Sequence, residues 1–131
     1  MKIKLYGHDL NLDMDETLQK KTGAYGQLHI DELRMSIDAT LPKSIKGSTI
    51  IHEIVEAINY FQELGFEHNV ISSVATGIHE ALVRNPFLLR LLLESREISA
   101  KQDVKSIYDK KEFPVDYKDF DKAITQIIRE T

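Results

Sequence analysis

Residues Leu33 to Leu64, LRMSIDATLPKSIKGSTIIHEIVEAINYFQEL, change their hydrophobic period midway. In the first part Leu33, Met35, Ile37, Ala39 and Leu41 alternate with Arg34, Ser36, Asp38 and Thr40, which is a strand with one buried face. Pro42 removes a ladder donor and ends it. Ser44, Gly47, Ser48 and Thr49 supply turn and N-cap chemistry, and from about Ser48 to Leu64 the period is helical. Ile50, Ile51, Ile54, Val55, Ile58, Phe61 and Leu64 occupy one broad arc, with His52, Glu56, Asn59 and Glu63 opposite. Gly65 is a natural helix stop.

Outward from this stretch, Ile3 and Leu5, then Leu10, Leu12 and Met14, alternate around a Gly7-His8-Asp9 turn and predict a hairpin over 2–14. Polar residues from Asp15 to Thr22 interrupt the pattern. Leu28 and Ile30 then pair with the Leu33–Leu41 strand as a second hairpin. A second amphipathic helix is predicted from Glu67 to Arg84, burying Val70, Ile71, Val74, Ile78, Ala81 and Leu82, and Asn85-Pro86 separates it from a leucine-rich helix, Phe87 to Glu94. That leucine-rich helix suits burial in the core better than partner binding. After Arg96 the apolar density falls, and from Lys101 to Thr131 seven Lys/Arg balance seven Asp/Glu. One helix, Tyr117 to Arg129, is predicted there. The expected fold is therefore α+β, a small and mainly antiparallel sheet packed by an antiparallel helix pair, with residues 1–96 as the domain and 97–131 as a helical extension.

The 131 residues, 42% apolar and 29% charged, suit one compact soluble unit. A net charge of −4 opposes a phosphate-binding surface, so nucleic acid is not an expected ligand. Absence of Cys excludes disulfides, thiolate metal sites and a cysteine nucleophile, leaving His, Asp and Glu as metal ligands. The N-terminal residues carry no apolar signal-peptide core and no segment is long enough to span a bilayer, so a cytoplasmic location and no membrane contact are expected.

Chemistry concentrates in Ile50 to Asn59. His52 and Glu56, four residues apart, stack on one helix face and can reach a common ion, while Glu53 is rotated by about 100°. A carboxylate so placed suits a general base rather than a ligand. Beyond the Gly65 turn, His68 can supply a third ligand. Two imidazoles and one carboxylate match catalytic zinc sites that keep a position open, and also suit Fe2+ or Mn2+. The competing reading is an ordinary solvated helix face with a weak His–Glu pair, because the usual zinc helix has His at both positions. There is also a geometric tension: a helix unbroken to Leu64 rises about 12 Å beyond Glu56, so an earlier end or a kink is needed to bring His68 back.

The run Ile51 to Asn59, the Glu67-His68-Asn69 helix entry, Ala75-Thr76-Gly77-Ile78 and the strands Tyr25-Gly26-Gln27-Leu28 and Met35-Ser36-Ile37-Asp38 resemble the small phage and prophage zincin-like metallopeptidases related to the ImmA/IrrE type. The resemblance covers Tyr25 to Pro86, about half the chain. It implies His52 as first ligand, Glu53 as general base, Glu56 where most members carry their second histidine and His68 where many carry an acidic ligand. The ligand types are thus exchanged, with their number and charge preserved. His79 stands where relatives tend to have tyrosine, and it lies about 16 Å along the helix from His68, too far to share an ion. His8 and His29 lack partners at ligand spacing and are read as structural.

The leading expectation is a zinc-dependent peptidase acting on a host or phage protein, with the Arg34–Leu41 strand as an edge that accepts an extended substrate by strand addition. The alternative is a catalytically inactive protein of the same fold that binds a host or repressor protein.

Overall fold

The structure, a computed structural model, describes residues 1–96. The predicted extension over 97–131, with its helix Tyr117 to Arg129, lies outside the described residues. The chain divides into two compact units, Met1–His79 and one that begins at Glu80. The first contains β1 (Lys2–Leu5), β2 (His8–Asp15), α1 (Leu18–Thr22), β3 (Gly26–His29), a 3₁₀ turn (Ile30–Glu32), β4 (Arg34–Asp38), α2 (Lys43–Phe61) and most of α3 (His68–Arg84). The described part of the second holds the end of α3 and α4 (Pro86–Glu94).

Both predicted hairpins form. Leu5 pairs with His8 across a two-residue turn in which Tyr6 and Gly7 both have positive φ, the twist that suits a tight hairpin. The turn thus falls one residue earlier than the Gly7-His8-Asp9 pattern suggested. β3 pairs antiparallel with β4 through the 3₁₀ turn, with Leu33 in the left-handed region. The hairpins then join through β2 and β4, which run parallel, so the strand order is β1-β2-β4-β3 and the sheet is mixed.

This order corrects the expected edge. Arg34 to Leu41 does not form the border; β4 lies inside the sheet, and among the described residues β1 and β3 are its edges. The reason is burial: Met35 and Ile37 are inaccessible, and Ser36 and Asp38 are buried on the other face. A strand covered on both faces belongs in the interior, whereas Gly26, Gln27 and His29 lose little at a border. Asp38 also ties α1 to the sheet, its carboxylate accepting Gln19 N–H at 2.7 Å and Thr40 N–H at 2.8 Å. The Thr40 hydroxyl also donates to this carboxylate and, ahead of the two N–H bonds, holds its pKa below the usual carboxylate value. The Asp15–Thr22 stretch is therefore not merely an interruption; it contains α1, with Leu18 buried.

α2 packs on the sheet. Leu10, Leu12, Met35, Ile37, Leu41 and Ala57 form the core, with Ile50, Ile54 and Phe61 against it. Each such side chain, when fully buried, contributes about 1.5–3 kcal/mol. The helix starts at Lys43, five residues before the expected Ser48, because Ser48 and Thr49 turn their hydroxyls back to Ile45 O and so lie inside the helix. It ends at Phe61, three residues before the expected Leu64, and Glu63 and Gly65 take left-handed conformations in the turn that follows.

α3 then meets α2 through Ile71, Ala75, Val55 and Ile51. His68 at its start faces Glu56, whereas Ser72 and Thr76 share a cleft with Ser48 and Thr49 earlier in α2, so the two helices run in opposite senses. The expected buried stripe holds only in part: Ile71 is buried as expected, but Val70, Val74 and Ile78 are 39–42% exposed, Val70 and Val74 because α3 packs on α2 through the face of Ile71 and Ala75. α4 likewise buries none of its residues, contrary to the expected core position, with Phe87, Leu91 and Leu92 exposed. Among the described residues no helix is long and apolar enough to cross a membrane.

Gly26 is where β3 and α2 approach most closely. A Cβ there would stand 2.7 Å from Thr49 Cγ2 and 3.1 Å from Glu53 Cγ and Oε1. Thr49 cannot easily yield, since its hydroxyl is bound to Ile45 O at 2.7 Å. We predict that Gly26→Ala lowers stability by about 1–3 kcal/mol in urea denaturation. An unchanged midpoint would contradict this packing.

Candidate metal centre

Three side chains converge where the turn after α2 returns to the helix face. Glu56 Oε1 lies 3.4 Å from His52 Nε2 and 3.3 Å from His68 Nδ1. The two imidazoles stand with ring centroids 5.0 Å apart and planes tilted by 60°. One ligand atom from each residue falls within 4.8 Å of the others, so the group could hold a metal ion. Donors bound at about 2.0–2.1 Å around a tetrahedral ion stand about 3.3–3.4 Å apart. Both Glu56 distances match that edge and are also those of ordinary histidine–carboxylate contacts, while the third edge, between the two imidazoles, is bounded at 4.8 Å.

The early end of α2 makes this possible. With the helix stopping at Phe61 the axis rises only about 7.5 Å beyond Glu56, instead of about 12 Å, before the chain reverses. His68 opens α3 and remains 76% exposed at its side chain, whereas His52 and Glu56 are 21% and 28% exposed. The cluster is thus walled by α2 on one side and open on the other, as a site that admits a fourth ligand requires.

Glu53 stands apart from the three. The 100° rotation from His52 aims it at β3, where it is 7% exposed beneath Gly26. Among the described residues no donor hydrogen-bonds its carboxylate. Burial, and secondarily the charge of Glu56, push its pKa up to about 7, with His68 acting in the opposite direction. Two clefts meet at this point. One of about 450 Å³ extends past Tyr25, Thr49 and Ser72; the other, of about 650 Å³, follows β3 from Gly26 to His29 and reaches Asn59 and Tyr60. Gly26, His52, Glu53 and His68 line both.

All four residues singled out in the sequence are therefore brought to one place. His79 is half-buried and outside the cluster. His8 stacks on Phe61 with centroids 4.5 Å apart and planes 5° from parallel, a packing role. His29 lies on the edge strand β3 and lines the larger cleft. Sequence reading missed Gly26, whose place against Glu53 becomes visible only once β3 is known to be an edge. It placed Asn59 on the same helix face as His52 and Glu56 but gave it no role.

No family model matches the sequence, and neither a curated protein nor a solved structure matches it. What the chain can do rests on the side chains themselves. The raised pKa of Glu53 has a measurable consequence in metal-free protein. Below about pH 4.5 the carboxyl is protonated in folded and unfolded chains alike; as pH rises toward about 7 only the unfolded chain ionises, so stability is lost. We predict that metal-free Glu53→Gln is more stable than wild type at pH 8 by about 1–3 kcal/mol, and that the difference fades as pH falls to 4.5. A pH-independent difference in denaturation midpoint would contradict the burial of an unpaired carboxyl.

Proposed function

We propose that this chain is a zinc-dependent peptidase of the zincin-like kind, with His52, Glu56 and His68 as metal ligands and Glu53 as general base. The observation that carries the reading is the convergence of three ligand atoms beside a buried, unpaired carboxylate at a free edge of a sheet. Two imidazoles and one carboxylate with open positions also suit Fe2+, and metal analysis after anaerobic purification separates the two readings.

A zinc ion bound by these donors supplies Lewis acidity at neutral pH, which makes water a competent nucleophile and polarises a carbonyl. The rest is the work of the chain's own residues. Glu53 lines both clefts and has no competing hydrogen bond among the described residues, so its carboxylate is free to accept a proton from the attacking water. The C–N bond of the substrate breaks as that proton passes from Glu53 to the departing amine.

Substrate orientation follows from the sheet. Among the described residues no strand pairs with the outer side of β3, which leaves backbone N–H and C=O groups facing the larger cleft. An extended peptide can add there as a further strand, held by main-chain bonds that tolerate many sequences. Strand addition thus belongs to β3.

The test is hydrolysis of a quenched-fluorescent peptide library by zinc-loaded protein. Glu53→Gln is expected to retain zinc and to lose about 10²–10⁴-fold in turnover. Undiminished turnover by that variant, or turnover that survives loss of both His52 and His68, would remove the assigned roles.

A further inference from the structure

We infer that Asn59 is a positioning residue for the proposed metal centre, acting through the turn that delivers His68. The inference rests on the metal-centre reading above, and its grounds are the hydrogen bonds of residues 59–68.

Nothing apolar anchors that turn. Every residue from Gln62 to Val70 is exposed, including Leu64 and Phe66, each at 45%. His68 is the first residue of α3, so no preceding helical turn supports it. A ligand in this setting has many accessible positions, and ordering it opposes metal binding unless something else has already fixed the backbone.

Asn59 supplies that restraint at three points. Its backbone carbonyl accepts Leu64 N–H at 3.1 Å. Its side-chain Oδ1 accepts Phe66 N–H at 2.9 Å, and Nδ2 donates to Phe66 O at 3.4 Å. The amide therefore brackets Phe66, two residues before His68, with both of its polar groups. Asparagine suits this role, since one planar amide offers an acceptor and a donor side by side. From a rigid helix, three residues after Glu56, it fixes the distance between the third ligand and the first two. Metal sites commonly depend on such supporting bonds, whose loss typically costs 10–100-fold in affinity.

The experiment measures zinc affinity of the full chain by competition with a chromophoric chelator, together with the visible spectrum of the Co2+-substituted protein. Asn59→Ala is expected to weaken zinc binding 10–100-fold and to reduce the intense tetrahedral Co2+ absorption toward that of His68→Ala. In a His68→Ala background the same substitution should cost nothing further, because its effect passes through His68. Asn59→Asp, which keeps the shorter bond to Phe66 N–H, should bind zinc much more tightly than Asn59→Ala, and it carries the test should the alanine variant fail to fold. Wild-type affinity in Asn59→Ala, an equal loss in both backgrounds, or an aspartate variant as weak as alanine overturns the role of Asn59 and leaves the metal centre standing. A wild type that binds no zinc overturns both.

Discussion

Glu56 Oε1 stands 3.4 Å from an imidazole on its own helix and 3.3 Å from one on the next, and bringing two helices to a single carboxylate constrains everything around it. The first distance is almost automatic, because residues four apart on a helix stack. The second is not. It requires α2 to stop at Phe61, the chain to reverse within six residues, and α3 to begin at the ligand itself. Two left-handed residues, Glu63 and Gly65, make the reversal, and the bonds from Asn59 hold its far end. The inward face of α3 then follows: with His68 over Glu56, Ile71 and Ala75 must face α2, while Val70 and Val74 turn outward.

The same helix separates two jobs by angle. His52 and Glu56 face the open side, whereas Glu53 faces the sheet, packed close to Gly26 where the two clefts meet. Burial without a hydrogen-bond partner costs free energy, and the neighbouring charge of Glu56 adds to that cost. A cation held at the cluster would offset the Glu56 charge and ease the ionisation of Glu53. In the metal-free protein this conflict holds the Glu53 carboxyl well above the usual carboxylate range.

Much of this was legible in the sequence, for identifiable reasons. The change of period between Leu33 and Leu64 located β4 and α2, and the two hairpins followed from alternation alone. His52, Glu53 and Glu56 were visible because helix geometry depends only on spacing. The need for an early helix end was also visible, from the reach of His68. What could not be read was non-local. Strand order depends on which faces other elements cover, so an edge fell to β3 and the sheet became mixed through β2 and β4. α1 escaped because five residues are too few to show a period; Asp38, distant in sequence, supplies its N-terminal bond. On α3 the most apolar stripe was taken as buried, yet the face chosen was the one that carries the ligand.

The central claim is that two imidazoles and one carboxylate from this chain share one ion. X-ray absorption at the zinc edge, on protein loaded with one equivalent and then desalted, tests it most directly. The account predicts retained zinc with a first shell of nitrogen and oxygen at about 2.0–2.1 Å, including two imidazoles. Zinc that washes out, or a shell with fewer than two imidazoles, would contradict it.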